Sequence, residues 1–206
     1  MTIKARHDVR ASLLHHVTSL LTNNSYVTLI SLDFSKAFDT VRHSTLAAKL
    51  SMLDLPDNIY NWLVAFLKDR KHTTRFEGLL STVAAINASV VQGSGVGPSA
   101  FVVNASDLHP VHPENIMVKY ADDTYLIVGA AMRHTICEEM ERVTSWAAQN
   151  NLRLNRTKSQ EMIIERVRRA ELPPPLTDVT RVSSMKILGV VIRENLCVSC
   201  AALLPC

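Results

Sequence analysis

Three aspartates are the residues whose type and position suggest chemistry. Asp122 and Asp123 are adjacent and stand between two short β-prone runs, while Asp33 ends the most apolar β-prone run in the chain. Neighbouring carboxylates repel each other, and a carboxylate at the end of a buried strand is costly unless it is paired or binds a metal. Oxygen-only ligands suit Mg²⁺ or Mn²⁺. Three convergent carboxylates could hold two such ions ~3.5–4 Å apart, the separation used for in-line phosphoryl transfer.

A simpler interpretation exists for the adjacent pair. Two consecutive aspartates are ordinary turn residues, and for Asp122 and Asp123 alone this interpretation is favoured. Asp33 shifts the balance toward a metal site, provided that its strand lies beside the hairpin that carries the pair. That adjacency is the geometric prediction on which a catalytic function depends.

The predicted secondary structure supplies the strands that the aspartates need. Residues 26–32 form a β-rich strand that ends at Asp33, and the runs 116–120 and 124–128 are so close that only a tight hairpin turn can join them. Helices are predicted over 7–22, 44–52, 57–69, 98–108 and 134–150, and further strands over 71–77, 82–91, 159–165 and 185–192. The fold class that follows is α+β, a sheet with helices packed on one face.

Five segments resemble the motifs of a known enzyme family. Residues 32–41 (LDFSKAFDTV) resemble motif A of reverse transcriptases from LINE-type non-LTR retrotransposons, and residues 120–123 (YADD) look like motif C. Residues 92–98 are similar to motif B, 151–158 to motif D and 188–190 to motif E. The resemblance implies a polymerase palm with an antiparallel sheet.

The resemblance also implies roles for individual residues. Asp33 and Asp122 would be the principal metal ligands, with Asp123 a weaker one. Lys158 would protonate the leaving pyrophosphate, although a solvated lysine is an equally good interpretation. Phe38 falls where the family has its steric gate against a 2′-hydroxyl, and periodicity alone favours a core aromatic there.

Further contacts are predicted with the substrates. The nucleotide would be contacted by Phe34, Gln92 and Gly93, and the primer and template by Tyr120, Lys71 and Arg75. Two basic runs, around 68–75 and 166–169, would bind phosphates, although such runs are usually solvated faces.

The function implied is an RNA-directed DNA polymerase that adds deoxynucleotides to a primer 3′-hydroxyl. Its partners would be an RNA template, a DNA primer and deoxynucleoside triphosphates, with Mg²⁺ or Mn²⁺ as cofactor. One alternative is a truncated, inactive element remnant that at most binds nucleic acid, and another is an RNA-directed RNA polymerase or a different palm enzyme. Fingers and thumb are expected to be incomplete, because the family has a longer region before motif A and the tail resembles nothing in its thumb.

Four segments are predicted along the chain. Residues 1–25 would be a remnant of a fingers or palm helix, 26–170 the palm with motifs A to D, 171–194 a Pro-rich spacer with the motif E strand, and 195–206 an atypical tail. The 206 residues are 47% hydrophobic and 20% charged with a net charge of +3, which indicates a globular protein. No apolar run approaches the ~20 residues that span a bilayer and the start lacks a signal peptide, so we predict an intracellular protein that does not contact membranes.

The four cysteines have one suggestive spacing. Cys197 and Cys200 are separated as in a zinc knuckle, and Cys206 could be a third ligand, but no second pair with matching spacing exists. We interpret them, with Cys137, as incidental thiols.

Overall fold

The computed structural model describes residues 6–90, 94–165, 172–196 and 198–200. The helices are α1 (Arg6–Asn23), α2 (Ala37–Thr40), α3 (His43–Ser51), α4 (Asp57–Leu67), α5 (Gly97–Asn104), a 3₁₀ helix (Ala130–Thr135) and α6 (Ile136–Gln149). The strands are β1 (Tyr26–Leu32), β2 (Lys71–His72), β3 (Arg75–Phe76), β4 (Leu79–Leu80), β5 (Ala84–Ala85), β6 (Ile116–Tyr120), β7 (Asp123–Gly129), β8 (Gln160–Glu165), β9 (Thr180–Arg181), β10 (Ser184–Ile187), β11 (Val190–Arg193) and β12 (Val198–Cys200).

The contacts divide the chain into two compact units. Of the described residues, the first unit comprises 6–35, 108–146, 153–165, 172–196 and 198–200, and the second comprises 36–90, 94–107 and 147–152. Motif A is therefore divided at residue 35, with Asp33 in the first unit and Phe38 in the second.

A five-stranded sheet is the framework of the first unit. Its strand order is β6-β7-β1-β8-β9, so β1 lies in the middle. β1 pairs antiparallel with β7 on one side and with β8 on the other, and only the short β9 runs parallel to its neighbour. The sequence YVTLISL of β1 is rich in β-branched residues, which suits a strand that is buried on both faces. The predicted α+β fold with a central antiparallel sheet is confirmed.

Both faces of this sheet are buried. Side chains alternate across a strand, so Val27 and Leu29 point to one face, where they share a core with Leu13 of α1. Thr28 points to the other face, and its hydroxyl accepts a hydrogen bond from Arg133 of the 3₁₀ helix (3.0 Å). Burial is nearly continuous along β1 and β7, so neither strand has a solvated face.

A smaller sheet follows the predicted Pro-rich spacer. The prediction of one strand over 185–192 is wrong, because β10 and β11 form a hairpin whose last pair is Ile187 and Val190. The two residues between them, Leu188 and Gly189, have φ values of 49° and 88°. Two consecutive positive φ values reverse the chain in a tight turn, and glycine adopts them without steric cost.

Helices α2 to α5 and an exposed hairpin belong to the second unit. Two strands are predicted over 71–77 and 82–91, but the structure has four strands of two residues each in this region. β2 pairs with β5, and β3 pairs with β4. All of these residues are exposed, and a two-stranded ribbon without a buried face is only marginally stable. Glu77 and Gly78, with φ values of 46° and 83°, form the turn between β3 and β4. Helix α5 ends at Asn104 rather than at about 108.

No described helix has the length and apolar character needed to cross a membrane. Cys137 is exposed and does not form a disulfide. Cys197, Cys206 and the side chain of Cys200 lie outside the described residues, as does the predicted basic run at 166–169.

Candidate catalytic site

β1 and the β6–β7 hairpin end at the same edge of the sheet. Leu32 is paired with Thr124 in the antiparallel β1–β7 register, so Asp33 and Asp123 are the next residues along the two strands. Tyr120 pairs with Asp123, which leaves Ala121 and Asp122 as a two-residue turn. The geometric prediction that the strand before Asp33 runs beside the hairpin is confirmed.

Ala121 holds the turn in an uncommon conformation. Its φ is 49°, in the left-handed region that non-glycine residues rarely adopt. This conformation costs an L-residue about 1–2 kcal/mol, and such strain concentrates at functional sites.

The three aspartates differ in exposure. Asp122 and Asp123 are exposed, and Asp33 is partly exposed. Within the described ranges, no three Asp, Glu, His or Cys side chains meet closely enough to hold a metal ion. The backbone thus brings the three aspartates to one edge of the sheet, but their carboxylates do not converge on a common position. As a donor set, three carboxylates supply only oxygen, which fits a hard divalent cation such as Mg²⁺ or Mn²⁺.

The electrostatic effect of the turn reaches Tyr125. This side chain is 1% exposed, and burial is the main reason that the pKa of its phenol is raised above the usual value. The charges of Asp123 and, more weakly, Asp122 raise the pKa further, while a hydrogen bond with the backbone of Leu188 lowers it. The carboxylates of Asp122 and Asp123 therefore both raise the pKa of this one buried phenol of β7.

A loop from motif D is hydrogen-bonded to the backbone around Asp33. The N–H of Asn155 donates to the carbonyl of Asp33 (2.7 Å), and the N–H of Ser35 donates to the carbonyl of Arg153 (2.9 Å). Lys158 is exposed on this loop. Motif D is thereby placed against the end of β1, where motif A begins.

Phe34, the residue after Asp33, is buried rather than exposed at the candidate site. Its backbone forms an isolated bridge with Leu154, and its ring is 7% exposed and meets Trp146 edge-on with centroids 5.9 Å apart. These contacts favour a supporting role for Phe34 over the predicted contact with the nucleotide.

Phe38 belongs to the second unit. It lies in the short helix α2, is partly exposed, and packs against Phe101 with ring centroids 5.2 Å apart. The steric-gate role stays a prediction. Gln92 and Gly93, predicted beside the nucleotide, lie outside the described residues.

The predicted primer and template residues occupy different settings. Tyr120 is partly buried and packs against the core on the α1 side of the sheet. Lys71 and Arg75 are exposed on β2 and β3. Lys71 also lines a cavity of about 410 Å³, whose lining includes two further basic residues, Arg42 and Arg70, and one acidic residue, Asp69.

Glu161 was not singled out by the sequence. Its side chain is fully buried on β8 and is paired with Arg133 (3.1 Å) and Arg181 (3.0 Å). Both arginines also donate to the carbonyl of Pro174, so the Pro-rich spacer is held against the sheet. No periodicity marks such a residue, because its partners are distant in sequence.

Ser159 was also missed. It is fully buried and its hydroxyl bonds to both Asp33 and Asn155. The available signal was its position beside Lys158 at the end of the motif D segment.

Comparison with known proteins agrees with these motifs. The family described as "Reverse transcriptase (RNA-dependent DNA polymerase)" matches residues 3–192. The chain is 26% identical to the probable RNA-directed DNA polymerase from transposon X-element of Drosophila melanogaster, over 94% of this chain and 23% of that protein. It is 31% identical to the RNA-directed DNA polymerase from mobile element jockey of the same species, over 70% of this chain and 17% of that protein. The chain thus spans about a fifth of the length of these relatives.

Two solved telomerase structures from Candida tropicalis share the fold. One, in complex with a TWJ fragment of telomeric RNA, has a TM-score of 0.70 at 13% identity, over 97% of this chain and 34% of that chain. The other, apo telomerase truncated from the C-terminal domain, has a TM-score of 0.64 at 14% identity, over 96% of this chain and 40% of that chain. Since the family match extends over nearly the whole chain and the related sequences are polymerases of mobile elements, this chain belongs to the reverse transcriptase family, as a domain of the non-LTR retrotransposon type.

Proposed function

We propose that this domain is the palm-centred core of an RNA-directed DNA polymerase that adds deoxynucleotides to a primer 3′-hydroxyl. The observation that carries the proposal is the register of β1 and β7, which directs Asp33 and Asp123 to one sheet edge with Asp122 in the adjoining turn. The motif D loop that bears Lys158 is bonded to the same edge. RNA template, DNA primer and deoxynucleoside triphosphates are the proposed partners.

Divalent metal ions are generally used by this family. For this chain we propose Mg²⁺, or Mn²⁺, held mainly by Asp33 and Asp122 with Asp123 as a weaker ligand. When bound, the ions would lower the pKa of the attacking hydroxyl and stabilise charge on the leaving pyrophosphate. The exposure of Asp122 and Asp123 leaves room for a cation, and the repulsion between adjacent carboxylates favours its binding.

The chain's own side chains supply the remaining proposed steps. Lys158 is proposed to donate a proton to the pyrophosphate, and the backbone bonds between its loop and Asp33 support this role. Phe38 is proposed to exclude a 2′-hydroxyl, and the resemblance of residues 92–98 to motif B supports a contact of Gln92 and Gly93 with the new base pair.

Nucleic acid is proposed to contact Tyr120, Lys71 and Arg75. The cavity beside Lys71 supports a phosphate contact there, since three basic residues and one acidic residue line it. Arg70 is oriented by Phe66, whose ring centre is 4.9 Å from the guanidinium carbon. The palm is proposed to extend over 26–170, with motif E in 171–194, and the protein is proposed to be intracellular.

A primer-extension assay tests the function. The full chain is given an oligo(dT) primer on a poly(rA) template with Mg²⁺ and labelled dTTP. We expect incorporation that falls at least ~100-fold in Asp122→Ala and is retained in Glu141→Ala, an exposed residue of α6. Activity that survives Asp122→Ala would refute the assignment.

Two other outcomes select the alternatives. Salt-sensitive RNA binding without any incorporation by the wild-type chain would select a non-catalytic nucleic-acid-binding protein. Incorporation of ribonucleotides in preference to deoxynucleotides would select an RNA polymerase.

A further inference from the structure

Ser159 has an unusual setting for a residue beside an exposed lysine. Its side chain is 0% exposed, and its hydroxyl makes two hydrogen bonds at once. It donates to the carbonyl of Asn155 (2.9 Å) and accepts from the N–H of Asp33 (3.2 Å). A serine hydroxyl has one donor and two acceptor sites, so the two bonds are compatible. Ser159 thus connects the motif D turn to a residue 126 positions earlier.

Asp33 depends on this turn because the sheet ends just before it. The last pairs of β1 are Leu32 with Thr124 and Ser31 with Gln160. Beyond them, the N–H of Asp33 bonds to Ser159 and its carbonyl accepts from Asn155 (2.7 Å). Both backbone groups of Asp33 are therefore satisfied by the two ends of one turn.

The same turn carries Lys158. The side-chain oxygen of Asn155 accepts hydrogen bonds from the N–H of Lys158 (3.2 Å) and the hydroxyl of Thr157 (2.8 Å). The N–H of Ser159 donates to the carbonyl of Asn155 (2.9 Å), which closes the turn. Lys158 is consequently fixed between the two residues that hold Asp33.

We propose that Ser159 is a positioning residue, whose hydroxyl sets the placement of the Asp33 carboxylate and couples it to the loop that carries Lys158. This inference rests on the proposed function, in which Asp33 binds the cation. Loss of the hydroxyl would leave the N–H of Asp33 without its partner and release one end of the turn. Residues that orient a metal ligand typically change metal affinity or activity about 10–100-fold when they are removed.

The test compares Ser159→Ala and Ser159→Thr with a matched control. Thr135 is also buried (3% exposed), and its hydroxyl likewise donates to a carbonyl, that of Met132 (2.8 Å), and accepts from the side chain of Asn115 (2.9 Å). Thr135→Val therefore removes a similarly bonded hydroxyl from the 3₁₀ helix. Mn²⁺ affinity is measured by electron paramagnetic resonance, together with primer extension as a function of pH.

We expect Ser159→Ala to weaken Mn²⁺ binding about 10-fold and to change the pH profile of extension, since both Asp33 and Lys158 are displaced. Ser159→Thr keeps the hydroxyl and should restore at least half of the Mn²⁺ affinity. Thr135→Val should leave both measurements within about two-fold of wild type while lowering the denaturation midpoint. Equal effects of Ser159→Ala and Thr135→Val on Mn²⁺ affinity and on the pH profile of extension would overturn the inference.

Two further measurements keep the outcomes separate. If Asp33→Ala leaves Mn²⁺ binding unchanged, the proposed function fails as well. If Asp33→Ala weakens Mn²⁺ binding and Ser159→Ala does not, only this inference fails. Should Ser159→Ala not fold, hydrogen exchange in the wild-type chain decides, because rapid exchange of the Asp33 amide would contradict its bond to Ser159.

Discussion

Leu32 and Thr124 are the last residues paired between β1 and β7. The chain on each side continues with an aspartate, Asp33 in motif A and Asp123 in motif C. Antiparallel pairing therefore directs two acidic residues from distant parts of the sequence to one edge of the sheet.

Asp33 and Asp123 are expected to contribute unequally. Asp33→Asn should lower primer extension at least ~100-fold, whereas Asp123→Asn should lower it only about 10-fold, because Asp123 is the weaker proposed ligand. Steady-state extension at several Mg²⁺ concentrations measures both effects. Asp54→Asn, an exposed change in the second unit, is the control. Equal losses for the two aspartates would contradict the proposed division.

Phe38→Ala should allow ribonucleotides to be used. Removal of the ring creates space for a 2′-hydroxyl, so the kcat/KM ratio of dTTP to UTP should fall at least ~10-fold. Phe101→Leu removes the ring that packs against Phe38 but leaves the Phe38 ring itself in place. It should therefore change the kcat/KM ratio much less. If the ratio stays at its wild-type value in Phe38→Ala, Phe38 is a packing residue only.

Glu161→Ala should destabilise the first unit strongly. Removal of the buried carboxylate leaves Arg133 and Arg181 without their anionic partner, which typically costs about 3–5 kcal/mol. Urea denaturation followed by circular dichroism measures the loss. Glu141→Ala should change the free energy of unfolding by no more than about 0.5 kcal/mol, because Glu141 is exposed. A similar small change at Glu161 would show that the arginines find other partners.

Tyr125 should make stability fall at alkaline pH. Its pKa is raised in the folded protein by burial and by Asp123 and Asp122, whereas in the unfolded chain it is near 10. The contribution of Tyr125 to the free energy of unfolding is therefore complete below pH 10. Above pH 10 the unfolded chain releases the proton first, so this contribution falls by up to about 1.4 kcal/mol per pH unit. Tyr125→Phe should flatten this loss in urea denaturations between pH 9 and 11.

A second tyrosine serves as the control for this experiment. Tyr60→Phe removes a partly exposed phenol of α4 and should leave the alkaline slope as it is in the wild-type chain. An unchanged slope in Tyr125→Phe would show that other groups govern the alkaline loss.

Local sequence patterns predicted the strands that matter most for the site. The apolar run before Asp33 and the short spacing around Asp122 and Asp123 dictate a strand and a hairpin without reference to the rest of the chain. The sequence pattern over 185–192 predicts one strand, whereas the structure has a hairpin that turns at Leu188-Gly189, for which Gly189 is a usable signal. Where a single glycine lies in an apolar run, periodicity alone does not distinguish a strand from two strands and a turn.

The supporting contacts could not be predicted in the same way. Ser159 meets Asp33 across 126 positions, and Glu161 meets Arg133 across 28. Such pairs depend on sheet order and register, which place β8 beside β1. Neither residue stands out by type, since serine and glutamate are common and mostly exposed.

The middle position of β1 has a consequence for heating. A strand with hydrogen-bonded neighbours on both sides cannot fray by itself, whereas the hairpin tip at Asp122 can loosen earlier. Leu32 should therefore keep its place until the sheet melts as a whole, and Asp33, one residue beyond it, is held in addition by its backbone bonds to Ser159 and Asn155. On warming, the turn at Asp122 would become disordered first, and the end of β1 that precedes Asp33 would be lost only at the cooperative transition.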